Sequence, residues 1–520
     1  MTIQRISALM AASLLALQPV IASADSPAAT PPVVTPPAGI GPSAFVRCDG
    51  SPNKASSLAT TARLLAITAV VGLLIPAREA ADPKKRQSGT DGIKACDDAL
   101  NGKDPAKDGG RRIELIFGRA IHRMEAKDWA GAIADIHAVS TDQPELTKTT
   151  AYTQSLGITA LHLEAIALVG KGDYPAANSV ALKMAEQAPY DLVNMLAVTQ
   201  FSGLSDGYDA QAERFYDQLV RIYPTSLLGR AQRLALVRRF AEAAQDQLTV
   251  SKLLDSIPKI AGYSTQARAA IGLRLAGNPA EADRVLASAQ ERADKDLAAG
   301  KSDTNAAQAS EAADFYAIVV ALDAGQALRA RTLFSAHTHW ATVPAGYAME
   351  ISRRLAKVGT PAEQQLTPIQ SPVEIFAAEQ KRTAGVITYA GEDNERRFAA
   401  YRLAFSPTEF NRFAGDVWRI EKSRFIAEKP NDTFKATLVD VSRDGGGFAS
   451  GYAMLLHLAL AAKARGADGF MMLPGQQRVY SCYVRIGKAS DPDMFAPIMF
   501  NPDKVIADLS PLIPKPEPRK

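Results

Sequence analysis

Few side chains in this sequence stand in a pattern that could carry out catalysis. Residues 443–447 (RDGGG) precede an expected helix, and glycine amides beside a helix start can cradle an anion. The lysine and Ser/Thr pair of a phosphate-binding loop are absent, however. Residues 447–451 (GFASG) place one residue too many before Ser450 for the turn that exposes a nucleophilic serine. We therefore interpret this segment as a turn.

The histidines and carboxylates also lack a catalytic or metal-binding arrangement. The sequence has six histidines, and only His337 and His339 form a close pair. Residues two apart on a helix diverge by about 200°, so this pair would not share a metal ion. Acidic pairs such as residues 97–98 and 392–393 stand in polar surroundings, where solvated carboxylates are expected. The sequence predicts no catalytic residue, no metal site and no cofactor, and hence a protein that is not an enzyme.

Composition favours helices as the elements that position any functional side chain. The 520 residues include only 7% aromatics, and alanine is abundant, as in close-packed helical folds. Hydrophobic residues make up 47% of the chain, enough for packed cores. The net charge of +4 arises from 59 basic and 55 acidic residues, so it gives no basis for nucleic-acid binding.

The first residues are typical of a signal peptide. Arg5 precedes an apolar stretch over residues 6–17, and residues 22–24 (ASA) predict cleavage before Asp25. The first cysteine is Cys48, which argues against a lipoprotein. We therefore assign residues 1–24 to a signal peptide and expect a periplasmic or secreted protein. Six prolines in residues 25–43 indicate that residues 25–47 are a linker.

Residues 48–91 are predicted to form an N-terminal helical segment. In an oxidising compartment, a disulfide between Cys48 and Cys96 is permitted, and three unpaired thiols are the alternative. A second apolar run spans residues 58–77, but Arg63 and Pro76 leave only residues 64–75 uninterrupted. Such a run covers about 18 Å as a helix, too short to span a membrane. A buried or partner-contacting helix is the main prediction, and contact with a membrane surface is the alternative.

The middle of the chain repeats one spacing. A small residue is followed after four positions by an apolar residue, after seven by another and after twelve by proline. The small residue and the proline of each clear copy are Ala132 and Pro144, Ala177 and Pro189, and Ala212 and Pro224. Weaker copies follow the glycines at 277 and 325. Because positions four and seven apart share a helical face, the spacing predicts paired helices that approach closely at the small residue.

This pattern resembles the tetratricopeptide repeat (TPR), an antiparallel helix pair of about 34 residues. Residues 111–139 (RRIELIFGRAIHRMEAKDWAGAIADIHAV) are the copy most similar to repeats of exported alphaproteobacterial proteins. Those repeats often follow a short helix with a cysteine, as in residues 92–100 (GIKACDDAL). The resemblance implies a helical-repeat superhelix of four to six repeats over residues 92–358. An irregular all-α domain is the alternative.

In the family that the chain resembles, the concave wall of the superhelix binds peptides or partner domains. The resemblance implies that first-helix positions line this wall and contact a protein or peptide partner. The positions expected there are Arg119, His122, Arg123, Leu161, Glu164, Leu168, Met195 and Thr199.

The C-terminal part has a different character. Residues 359–380 are predicted to be a linker and residues 381–513 a small α+β domain, followed by a disordered tail over residues 514–520. Strands are expected at residues 417–426, 434–441, 470–473 and 479–486, with a helix over residues 451–466.

The sequence as a whole therefore predicts a mainly α protein: a TPR-like superhelix followed by a small α+β domain. We expect an exported scaffold or adaptor of the bacterial cell envelope, which binds a protein partner and no nucleic acid. Binding of a small ligand or hydrolysis in residues 381–513 is the alternative function.

Overall fold

The structure, a computed structural model, describes most of the chain beyond its N-terminal region. The described residues are 41–53, 81–257, 260–300, 303–337, 340–361, 364, 368–388, 394–395, 397–398, 417–419, 427–431, 436–440, 448–478, 481–513 and 515–516. The predicted signal peptide, the apolar run over residues 58–77 and the glycine loop at 443–447 lie outside them. No helix in the described ranges has the length and hydropathy needed to cross a membrane.

The protein is mostly helical, with a small antiparallel sheet near the C-terminus. Two compact units make up the chain. The N-terminal unit contains residues 21–188 and 384–407, and the C-terminal unit contains residues 189–383 and 408–520. The predicted helical-repeat region over residues 92–358 is thus shared between the two units.

Seven helices of the N-terminal unit are described. They are α1 (Ala44–Asp49), α2 (Gly89–Asn101), α3 (Gly109–Glu125), α4 (Trp129–Asp142), α5 (Thr150–Thr153), α6 (Leu156–Lys171) and α7 (Tyr174–Gln187). The hairpins α3–α4 and α6–α7 pack side by side, with α6 against both α3 and α4. Helix α1 begins inside the predicted linker over residues 25–47 and extends beyond it. The Ser43 side chain accepts a hydrogen bond from the Val46 amide and caps this helix.

Helix α1 is fastened to its neighbours by a disulfide and by a buried ion pair. The sulfur atoms of Cys48 and Cys96 are 2.08 Å apart, and Gly118 of α3 leaves room for them. Both Asp49 oxygens accept hydrogen bonds from the Arg111 guanidinium, at 2.5 and 2.9 Å. Neither side chain is exposed to solvent. The third cysteine, Cys482, is buried in the C-terminal unit.

Ten α-helices of the C-terminal unit are described between residues 192 and 387. They are α8 (Leu192–Ser202), α9 (Ala210–Ile222), α10 (Leu227–Leu236), α11 (Phe240–Asp255), α12 (Tyr263–Leu275), α13 (Pro279–Ala298), α14 (Asp303–Asp323), α15 (Ala327–Ser335), α16 (Ala345–Leu355) and α17 (Pro372–Ile387), of which residues 372–383 belong to this unit. The hairpins α10–α11, α12–α13 and α14–α15 follow one another, and each packs on the next. One continuous apolar core joins them.

Five hairpins of the described chain share one turn. In each, a residue with positive φ stands two positions before the second helix: Lys127, Gly172, Arg238, Gly277 and Gly325. Its amide bonds the carbonyl three residues earlier, and the next amide bonds the carbonyl five residues earlier. This is the Schellman termination of a helix, in which a left-handed residue reverses the chain. No two neighbouring turns of this kind are 34 residues apart.

Four small residues of the repeated spacing lie on second helices of these hairpins, whereas Ala212 lies on α9 and is only partly buried. Ala132, Ala177, Ala282 and Ala330 are completely buried, on α4, α7, α13 and α15 respectively. Their methyl groups allow the neighbouring helix to approach closely.

The strands and helices described after residue 426 form an α+β layer within the C-terminal unit. They are β1 (Ala427–Asn431), β2 (Ala436–Asp440), α18 (Phe448–Ala464), β3 (Gly469–Arg478), β4 (Ser481–Gly487) and α19 (Pro502–Leu509). The antiparallel sheet has the order β1-β2-β4-β3. Met471 and Leu473 of β3 share a core with Val220, Leu227 and Val250 of the helices. The α+β layer is therefore packed on the hairpins rather than separate from them.

Two local predictions in this region differ from the structure. Residues 417–419, expected to begin a strand, are not in the sheet. The expected linker contains the start of α17, because Ser371 and Glu374 form a capping box: the Glu374 amide donates to Ser371 Oγ and the Ser371 amide to Glu374 Oε2. Pro372 then occupies the first helical position, where its fixed φ suits a helix.

The disulfide gives the first testable prediction. Replacing Cys48 and Cys96 together with serine should lower the free energy of unfolding of the N-terminal unit by about 2–4 kcal/mol, because the bond closes a long loop. Urea unfolding monitored by circular dichroism measures this. Cys482→Ala retains the bond and serves as the control. Free thiols at both positions in the oxidised protein would contradict the pairing.

Candidate partner-binding surface

The two arginines expected on the binding wall are held by carboxylates of the protein itself. Arg119 of α3 donates two hydrogen bonds to Asp135 of α4, at 3.0 and 2.6 Å, and one to Asp97 of α2, at 2.6 Å. Burial lowers the pKa of Arg119, but hydrogen bonds to these carboxylates raise it overall. Arg123 bonds Asp135 at 2.8 Å and Asp128 at 2.6 Å. The arginines therefore join three helices, and their charge is largely neutralised.

His122 lies inside the N-terminal unit. Its side chain is completely buried, in space left by Gly92. The ring nitrogens lie 2.7 Å from the Cys48 carbonyl and 2.8 Å from Glu125 Oε2. Glu125 also accepts hydrogen bonds from the Gly89 amide and from Asn394 Nδ2. His122 thus connects the disulfide segment to the body of the unit and offers no surface to a partner.

The other expected wall residues are divided between interior and surface. Leu168 and Met195 are buried. Leu161 is partly exposed, and Glu164 bonds the exposed His137 at 2.9 Å. The Thr199 hydroxyl donates to the Leu196 carbonyl within its own helix. These side chains therefore do not form a continuous exposed strip.

In the C-terminal unit, the protein's own helix α16 covers α10, which is the first helix of the hairpin α10–α11. Gly346 lies so close to α10 that a Cβ atom there would be 2.3 Å from the Ala235 carbonyl carbon. Tyr347 is fully buried, with its ring tilted against that of Phe240 at a centroid distance of 5.9 Å, and Glu350 pairs with Arg238 at 2.9 Å. A partner could not use this face without displacing α16.

An open groove remains at the last hairpin of this unit. Its volume is about 860 Å³, and it lies between the start of α15 and the residues after α16. Gly325, Leu328, Thr332 and Leu333 line one side, and Thr360 lies on the other. Leu328 is 48% exposed, and Val358, two residues before Thr360 in sequence, is 38% exposed.

Leu328 departs from the other hairpins at an equivalent position. Leu328 is the second residue of the second helix in its hairpin. The other four hairpins have Ala130, Pro175, Ala241 or Ala280 at this position, and each is exposed. Only in this hairpin, among the five, does a large apolar side chain stand there. Leu328 therefore exposes apolar surface at a position where the other four hairpins carry alanine or proline.

The rim of the groove carries positive charge. Arg329 lines the groove and donates to Gln326 Oε1 at 3.1 Å, and Lys357 precedes the lining residue Gly359 by two positions in sequence. Both are exposed, and neither forms an ion pair with a described carboxylate. An acidic partner would therefore meet uncompensated positive charge here.

No comparable arrangement for catalysis is found in the described residues. They contain no group of three metal-ligating side chains. In the α+β layer, His457 is buried with Nδ1 3.2 Å from the Val417 carbonyl, and burial raises the pKa of the Cys482 thiol to about 12. His337 stacks on Trp340, and His339 lies outside the described residues.

Comparison of the chain with protein-family models, curated proteins and solved structures finds no match. The function is therefore inferred from geometry alone.

The packing of α16 against α10 can be tested by adding one methyl group at Gly346. Gly346→Ala should lower the free energy of unfolding of the C-terminal unit by about 1–3 kcal/mol, because the new Cβ meets backbone of α10. Urea unfolding measures the change.

The matched control for this substitution is Gly451→Ala in α18 of the same unit. Gly451 is partly exposed, with no described heavy atom within 4 Å of a Cβ there. Alanine should be neutral or stabilise that helix by up to about 1 kcal/mol. Equal stability of the two variants would show that α16 does not lie against α10.

Proposed function

We propose that this chain is an exported scaffold that binds a protein partner through a TPR-like array of helical hairpins. The repeated left-handed turn is the observation that carries the proposal. Five hairpins use the same pair of backbone hydrogen bonds at this turn, and all five completely bury an alanine five residues after the left-handed residue. Stacked hairpins present an extended surface, which suits recognition of a protein or peptide.

The groove beside Leu328 is the best candidate for the contact. It is open rather than enclosed by the protein's own helices, unlike the face of α10 under α16. Leu328 supplies apolar area and Arg329 supplies charge at its lining, and the exposed Lys357 and Val358 directly precede the lining residue Gly359 in sequence. We infer that the occupant is a peptide segment with apolar side chains flanked by Asp or Glu.

The cell envelope is the proposed location. Residues 1–24 have the composition of a signal peptide. The Cys48–Cys96 pair at bonding distance is compatible with an oxidising compartment. The disulfide and the signal-like segment support export independently of each other.

Site-specific photo-crosslinking tests the proposal. A photoreactive residue at position 328 should crosslink to a discrete envelope protein in intact cells. The same probe at position 280, the equivalent position of the preceding hairpin, should not. Arg329→Glu combined with Lys357→Glu should reduce the crosslink at least about tenfold, since like charges would then face the acidic partner.

A matched pair of variants distinguishes an effect at the groove from the effect of placing a charge on any exposed apolar residue. Val358→Glu changes the groove, whereas Val373→Glu places the same charge at a 76% exposed position of α17. Only the first should abolish the crosslink from position 328. Equal crosslinking from positions 328 and 280, or loss in both valine variants, would refute the groove as the binding surface.

A further inference from the structure

A buried carboxyl group stands at the start of α8. Asp191 is 7% exposed, and its Oδ1 accepts the Val193 amide at 2.9 Å. Its other oxygen, Oδ2, is also buried and has no hydrogen-bond partner among the described residues. A buried ionised carboxylate with an unsatisfied oxygen is costly, whereas a protonated carboxyl is much less so.

The physical setting favours the protonated form of Asp191 below about pH 7. Burial raises the pKa of the Asp191 carboxyl to about 7, although amide hydrogen bonds from Asn194 and Val193 act to lower it. The helix terminus also favours the ionised form, but desolvation outweighs both effects.

The α+β layer packs against the residues around this carboxyl. Tyr190, which is 5% exposed, donates a hydrogen bond from Oη to Asp508 Oδ2 of α19. Its ring meets Tyr452 of α18 edge-on, at a centroid distance of 6.4 Å. Burial, and then the charge of Asp191, raise the pKa of Tyr452 well above its ordinary value.

Other charges nearby do not compensate Asp191. Lys504 of α19 pairs with Asp508 at 2.9 Å. Arg221 of α9 acts on Tyr190, whose pKa it lowers against the larger effects of burial and Asp508. We call the contact between the start of α8 and helices α18 and α19 the junction. The titratable and charged groups there are Tyr190, Tyr452, the Asp508–Lys504 pair and, through its effect on Tyr190, Arg221. No described cation pairs with the Asp191 carboxylate.

We propose that Asp191 is a proton-dependent latch: α18 and α19 pack fully on the start of α8 while its carboxyl is protonated, and they open locally when it ionises. The apolar core around Met471 and Leu473 of β3 remains closed, since it has no part in this junction. Opening therefore exposes the start of α8 without releasing the whole layer.

The direction of the pH dependence follows from the raised pKa. The stability that the junction gains is complete below the ordinary pKa of an aspartate, about 3.9. It is lost progressively as pH rises, up to the folded-state value of about 7. The junction should thus be most stable in mildly acidic solution. This inference does not depend on the proposed partner or groove.

Hydrogen–deuterium exchange of the whole chain tests the latch. After correction for the intrinsic exchange rate, opening of residues 448–464 and 502–509 should increase by about 10- to 100-fold from about pH 5 to about pH 8. Asp191→Asn keeps the shape and the helix cap but cannot ionise. It should show opening that is independent of pH.

The matched control is Asp209→Asn, the same substitution at the exposed cap of α9. Asp209 accepts the Gln211 and Ala212 amides at 3.0 and 2.8 Å, so it has the same capping role. This variant should retain the pH dependence of the wild type. Wild-type opening that does not change with pH, or the same change in Asp191→Asn, would overturn the proposal.

A direct titration of Asp191 in the wild-type protein tests the latch without any substitution. The Asp191 carboxyl carbon, followed by carbon NMR in the wild-type protein, should titrate near pH 7. A titration at its ordinary value of about 3.9 would overturn the latch as well.

Discussion

The fold depends on a left-handed residue at the tip of each repeated hairpin. At Gly172, Gly277 and Gly325 the residue is glycine, which adopts this conformation without a steric cost. Lys127 and Arg238 take the same conformation, at φ values of 60° and 64°, which costs about 1 kcal/mol or more in a residue with a Cβ. The surrounding packing must compensate for this. Because the turn fixes where the second helix starts, it also fixes which residues face the neighbouring hairpin.

Paired charges then join helices that the turns have placed together. Arg230 of α10 bonds both oxygens of Asp246 on α11, at 2.7 Å each, and Asp217 of α9 at 2.9 Å. Arg119 bonds two neighbouring helices in the same way in the N-terminal unit. Each guanidinium is only partly exposed, so its bidentate bonds are worth more than a surface ion pair. The arginines that look available for a ligand in the sequence are therefore structural.

The sequence predicts the helical class, the C-terminal helix and three of the four strands, because these follow from local periodicity. It also predicts four of the five buried alanines of the hairpins, but Ala212, in the third clear copy of the spacing, is only partly buried and lies outside them. It misses the hairpin at Arg238, since arginine replaces glycine in the turn and Gln247 interrupts the apolar spacing. The binding surface is harder to predict from the sequence, because it depends on tertiary packing. Only the folded structure shows that Asp97 neutralises Arg119 and that α16 covers α10. The exposed Leu328 could have been found by aligning the hairpins on their turns.

A pair of substitutions at one exposed turn residue tests the repeated turn most directly. Lys127 is exposed, so replacing it changes mainly the backbone preference. The account predicts that Lys127→Gly is more stable than Lys127→Ala by about 1 kcal/mol, because only glycine adopts positive φ without strain. Urea unfolding of the two variants measures the difference. If Lys127→Ala were equally stable or more stable, as in an ordinary helix, the left-handed turn would not specify these hairpins.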